Sequence, residues 1–126
     1  MSDICDEHIE LEVIEMKEKY KRCGLNYDLI VEKYPNIDEY EHIVNAYLED
    51  EFFNEMKTMI MDEDHEMLKD ACKGLYILAN DLYLFPLYES LLDLYESVEY
   101  EEYSRLMEEY DEVMKRHQRI RNIFVV

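Results

Sequence analysis

This sequence predicts an all-α fold, and three observations carry that expectation. Two glycines and two prolines are all that interrupt 126 residues, with eight methionines and abundant Glu, Leu and Lys between them. Such a chain offers helices few breaks. Apolar residues recur at spacings of three and four in one segment after another, the period of a helix with one buried face. The breaks that do occur are short, so consecutive long helices should return antiparallel. The expected architecture is an antiparallel four-helix bundle over 36–123, with extra short N-terminal helices in 1–35. The chain 1–126 is then a single domain with one sizeable core.

Each element has its own warrant. Ile9, Val13, Met16 and Tyr20 form the apolar face of a first helix from about Asp6 to Arg22, and Cys23-Gly24 ends it. Asn26 caps a short helix, Tyr27 to Tyr34, that Pro35 stops. A longer segment starts at Asn36 or Asp38 and runs to about Met61, with a bend or break expected where its stripe drifts at Glu49-Asp50-Glu51. Asp62-Glu63-Asp64 reads as a turn and an N-cap. The central helix follows, its buried stripe predicted as Leu68, Ala71, Cys72, Leu75, Leu78, Ala79 and Leu82. Pro86 suits the first turn of the next helix, marked by Leu84, Leu87, Tyr88, Leu91, Tyr95 and Val98. The last helix is expected from about Tyr100 to Ile123. Glu101 and Glu102 stand in its first turns and Lys115, Arg116, Arg119 and Arg121 towards its end, which suits the helix dipole.

Composition narrows the functional classes. A net charge of −19 argues against nucleic acid or an anionic membrane as partner, since both need clustered cations. No window of eighteen apolar residues exists, and MSDICDEH lacks the order of a signal peptide. Cys5, Cys23 and Cys72 are odd in number and lack C-x-x-C spacing, so neither a disulfide framework nor a zinc site is expected. A cytoplasmic setting fits them. Twelve tyrosines at helical spacing read as core-edge residues, ring inward and hydroxyl at the rim.

Opposite the buried stripe of the central helix lie Lys69, Lys73, Tyr76 and Asn80, a second stripe expected to face water or a partner. Here a resemblance enters. Ala71-Cys72-Lys73-Gly74-Leu75-Tyr76-Ile77, Asp81-Leu82-Tyr83 and Pro86-Leu87 fall without a gap on a pattern reading A-x-H-x-L-K-G, N-L-G and P-L. Upstream, Tyr47-Leu48-Glu49-Asp50 resembles F-L-x-D. The stretch thus resembles the histidine-containing phosphotransfer (Hpt) domain, in particular its free-standing bacterial kind, over about Gly24 to Arg121. The departures are chemical: Lys73 stands at the phosphoacceptor position, Tyr76 replaces the family's lysine, Ile77 its glycine, and Phe85 a small residue that often caps the next helix. Setting Lys73-Gly74 on the family's K-G instead puts Asp70 at the histidine position, at the cost of a shift against both flanks. In neither register is a histidine there.

The resemblance implies docking on receiver domains of response regulators or hybrid sensor kinases, through the outer faces of the central helix and its neighbour. Lys69, Lys73, Gly74, Tyr76, Ile77 and Asn80 are the expected contacts. A lysine ammonium is a poor nucleophile at neutral pH, but it can reach a receiver's acidic pocket, so binding without phosphate transfer is expected, and no enzymatic activity of the chain's own. Gly74 costs about 1 kcal/mol in a helix relative to alanine and leaves a bare backbone patch beside Lys73.

Rival readings stay open at this point. His65, in the first turn of the central helix, is the best substitute phosphoacceptor. His8 lies in a polar turn, His42 on the outer side of its helix, and His117 on an apolar stripe. An acidic adaptor or assembly subunit unrelated to phosphorelay is the other alternative. Metal chemistry is weakly supported: Glu39 and His42 make one E-x-x-H where a di-iron bundle needs two, and Asp62, Asp64 and His65 read as a solvated helix start. No cofactor motif is present.

Overall fold

The computed structural model describes residues 2–124, with side chains from residue 10 onward. Among the described residues there are seven α-helices, one 3₁₀ turn and no strand. The helices are α1 (Ser2–Arg22), α2 (Tyr27–Lys33), α3 (Ile37–Leu48), α4 (Phe52–Met61), α5 (His65–Asp81), α6 (Phe85–Glu99) and α7 (Leu106–Phe124), the 3₁₀ turn spanning Tyr103–Arg105. The expected all-α class is what the chain adopts. The side chains of His8, Cys5 and Ile9 lie outside those described.

Four helices, α4 to α7, touch in a closed cycle, with α5 and α6 the most closely packed pair and α3 resting on α7. Antiparallel pairing is marked at both ends of α6. Its last turn meets the starts of its neighbours, Glu99 with Lys69 and Ser97 with Glu109, while Pro86 at its start meets Arg116 late in α7. Phe53, Met56, Leu68, Leu75, Leu91, Leu94, Val113 and Ile120 fill the space between.

The long segment from Asn36 does break at Glu49–Glu51. Leu48 ends α3, and the Asp50 carboxylate accepts from the Phe52 N–H at 2.9 Å to open α4. Across the break, the buried His117 ring of α7 brings Nε2 within 2.7 Å of the Leu48 carbonyl. That carbonyl can only accept, so Nε2 carries the proton. A helix-end carbonyl with no partner in its own helix is satisfied there.

Four reversals share one construction. Gly24, Glu63, Tyr83 and Glu101 adopt positive φ of 77°, 56°, 58° and 58°. In each case the following N–H reaches back five residues to a helix carbonyl, at 2.9, 2.9, 2.8 and 2.8 Å. This is the Schellman arrangement, and only one of the four uses glycine. The reversal at Glu101 corrects the expected last helix. Tyr100, Glu101 and Glu102 belong to the turn, Tyr103 to the 3₁₀ segment, and the acids of the α7 first turn are Glu108 and Glu109.

The N-terminal helices sit at the end where α5 turns into α6. Tyr20 packs edge-on against Phe124 at 5.4 Å, and a Cβ on Gly24 would come within 2.9 Å of Pro86 Cγ. The last carbonyls of α5 are taken by this end: Asp81 accepts from Lys33 and Tyr34, and the Leu82 carbonyl from the Tyr40 hydroxyl. Tyr47 and Tyr110 likewise donate to the carbonyls of Leu75 and Phe53. Several of the tyrosines thus bury their rings deeper than a core edge and use the hydroxyl on backbone.

Candidate functional site: the outward face of α5

Asp64 opens α5 by accepting from the Met67 N–H at 3.3 Å. Leu68, Ala71, Cys72, Leu75, Ala79 and Leu82 are buried as the spacing predicts. Leu78 is not, and stays 47% exposed. The reason is length. At 1.5 Å per residue, α4, with 10 residues, is about 15 Å long. The same rise makes α5, with 17, about 26 Å. The late turns of α5 therefore extend past α4, and α3 reaches them through the Tyr47 and Tyr40 hydroxyls.

The outward face divides into two edges. On the α6 side, Lys73 and Asn80 are exposed, and the Lys73 ammonium makes no ion pair or hydrogen bond with any described residue. Two residues expected on this outward stripe are engaged instead. Lys69 pairs with Glu99 of α6 and lies over the Tyr95 ring, 5.9 Å from its centroid. Tyr76 is half-buried, edge-on to Tyr88 at 5.9 Å and to Tyr95 at 5.4 Å. Tyrosine has the reach to cross to α6 from a position that a short side chain would leave in water. Of the six expected contacts, Lys73, Gly74, Ile77 and Asn80 remain open to a partner.

On the α4 side the same helix borders an open groove of about 390 Å³. Phe52, Met59, Met67 and Leu78 form its apolar walls, Gly74 its bare floor, and Asp50 and Asp70 its acidic rim. A Cβ on Gly74 would meet nothing within 4 Å. Asp70, the alternative occupant of the family's histidine position, is thus exposed too, but it faces the groove. Sequence reasoning marked Gly74 and missed the groove. Phe52, whose spacing puts it on the apolar stripe of its segment, is exposed because Phe53 takes the core position; the available signal was Met67, an apolar residue off the buried stripe of α5.

The histidines differ in their surroundings. The His65 ring is stacked on Tyr103, 3.7 Å between centroids and 15° between planes. Burial holds His117 below the usual imidazole pKa, the bond to Leu48 pulling the other way. His42 is exposed on α3. The Cys72 thiol, buried against Met56, is pushed up to about 12 by that burial. Among the described residues no group of three His, Cys, Asp or Glu side chains is arranged to hold a metal ion, and no helix is long and apolar enough to cross a membrane.

No family model matches this chain, and no curated protein or solved structure is significantly similar to it.

Proposed function

We propose that this chain is a degenerate Hpt-like module. It binds the receiver domain of a response regulator or hybrid kinase without carrying phosphate, because Lys73 stands where the phosphoacceptor histidine would be. One observation carries the reading: the Lys73 ammonium is exposed and unpaired midway along a well-packed helix, next in sequence to the uncovered Gly74. A cation in that position is attracted to the acidic pocket of a receiver, and a small neighbour lets the partner approach closely. Tyr83 adds support. It occupies the glycine of the N-L-G pattern and keeps a left-handed backbone at φ 58°, the conformation for which glycine is ordinarily chosen. The chain is then a cytoplasmic signalling component and not an enzyme.

The test is incubation with a phosphorylated receiver domain, reading complex formation and label together. Binding with no label on this chain is the expected result, and Lys73→Glu should weaken the complex at least about tenfold through charge reversal at a desolvated contact. Acid-labile label on the wild type would overturn the transfer-dead reading. If that label vanished in His65→Gln, His65 would be the acceptor.

A second reading has its own observation. The apolar groove with acids at its rim suits a basic amphipathic helix, two methionines giving it an adaptable lining. An acidic adaptor would recover such partners, and no receiver domains, from the cell's own lysate.

A further inference from the structure

Positive charge is scarce in this chain and is not scattered. Residues 17–22 and 115–121 hold eight of the thirteen Lys and Arg and a single acid, Glu18. The fold brings these segments together. The Cys23 thiol donates to the Arg119 carbonyl at 3.2 Å, and Tyr20 packs on Phe124. Where they meet is a cleft of about 270 Å³, walled by Arg22 from α1 and Arg116 and Arg119 from α7, with Cys23, Gly24, Pro86 and Glu89 completing it.

Helix dipoles explain only part of this. Arg22 is in the last turn of α1, but Arg116 and Arg119 precede the last turn of α7, and the dipole effect fades beyond that turn. Arg116 is built in: its side chain is 27% exposed, Nη1 donates to the Pro86 carbonyl at 2.6 Å and Nε to Glu112 at 3.0 Å. Those bonds hold the guanidinium plane and leave donors unused. The guanidinium groups of Arg22 and Arg119 have no ion-pair or hydrogen-bond partner among the described residues. The local field is positive. The Arg116 hydrogen bond holds the Glu112 carboxyl below its ordinary range, and the charges of Arg116, Lys115 and Arg119 add to it. Inside the cleft one carboxylate, Glu89, lies 3.6 Å from Arg116. With Glu112 paired to Arg116 as well, three guanidinium groups stand against two carboxylates and leave one positive charge uncompensated.

We infer that this cleft binds a dianionic oxyanion of the phosphate class, either inorganic phosphate or the phosphoryl group of a monoester. Guanidinium forks match the oxygen spacing of such a group and bind it more tightly than isolated ammonium ions do. The inference stands apart from receiver docking, since it uses neither Lys73 nor the α4–α5 groove.

Calorimetric titration of the full chain at low salt, with inorganic phosphate and separately with phosphoserine, tests it. One saturable site is expected, with a Kd of about 1 mM or tighter. The pair Arg22→Gln with Arg119→Gln should weaken it at least about tenfold, as loss of two charge-assisted partners implies. Glu89→Gln should tighten it about threefold by removing the competing carboxylate. A charge-matched pair elsewhere, Lys57→Gln with Arg105→Gln, should leave Kd within about twofold, since screening mutes distant charges. All these side chains are exposed, and far-UV circular dichroism confirms the fold of each variant. Tighter binding of phosphoserine identifies an esterified ligand and tighter binding of phosphate the free ion; either supports the site. No saturation with either probe, an unchanged Kd in the double arginine variant, or no tightening in Glu89→Gln overturns it.

Discussion

The two edges of α5 are built from similar materials and finished differently. Against α6 the seam is closed: Tyr76 reaches across to Tyr88 and Tyr95, and Lys69 to Glu99. Against α4 it is left open, with Phe52, Met67 and Leu78 part-exposed around the bare backbone of Gly74. The difference lies in reach and length. Large aromatic side chains span the first seam, whereas a short α4 and a residue without a side chain leave the second unfilled. A chain that seals one side of a helix this thoroughly leaves, on the other, apolar surface exposed to solvent.

The comparison can be broken or sharpened by mutation, beginning with the residue that secures the break before α4. His117→Ala removes a buried ring and leaves the Leu48 carbonyl unpaired, and should cost about 3 kcal/mol in denaturant unfolding. The same site gives a pH signature. Its pKa is lowered by burial, so the neutral ring is favoured in the folded state. The His117 contribution is then complete above the unfolded value of about 6.5 and is lost as pH falls below it. Wild type should lose stability over that acid range more steeply than His117→Gln.

Next in size, Tyr76→Ala should destabilise by about 2 kcal/mol, since it opens the sealed seam and strips two edge-on aromatic contacts. Gly74→Ala should do the opposite and stabilise by up to about 1 kcal/mol: the added methyl meets nothing, and alanine is the better helix former. If Gly74 is the floor on which a partner rests, the same change should weaken binding while raising the melting temperature. Smallest is Leu78→Ser. A residue 47% exposed away from any network should shift stability by no more than about 0.5 kcal/mol, and a cost near that of Tyr76→Ala would show that the groove is closed in solution.

Much of this was legible in the sequence, because helical period is a local signal. The short α2 and its Asn26 cap, the break at Glu49–Glu51, the Asp64 cap and most of the α5 core follow from spacing and capping chemistry alone. What escaped depends on neighbours. Leu78 has the spacing of a core residue and is bared by the length of another helix. Tyr76 has the spacing of a surface residue and is half-buried because α6 presents Tyr88 and Tyr95 to it. The start of α7 was misplaced because Glu101 takes a left-handed backbone that nothing about a glutamate announces. At the arginine cleft, α7 was seen only as a dipole complemented by cations, since the meeting of two helix ends separated by about a hundred positions leaves no trace in either segment alone.

The repeated reversals at Gly24, Glu63, Tyr83 and Glu101 carry a mechanical consequence. Each joint carries its own backbone bond, which restricts how far one helix can turn against the next at those four points. The break at Glu49–Glu51, which borders the Gly74 groove through Asp50 and Phe52, lacks that clamp. Of the two methionines that line the groove, Met59 is held in the core and only Met67, exposed, has room to change rotamer.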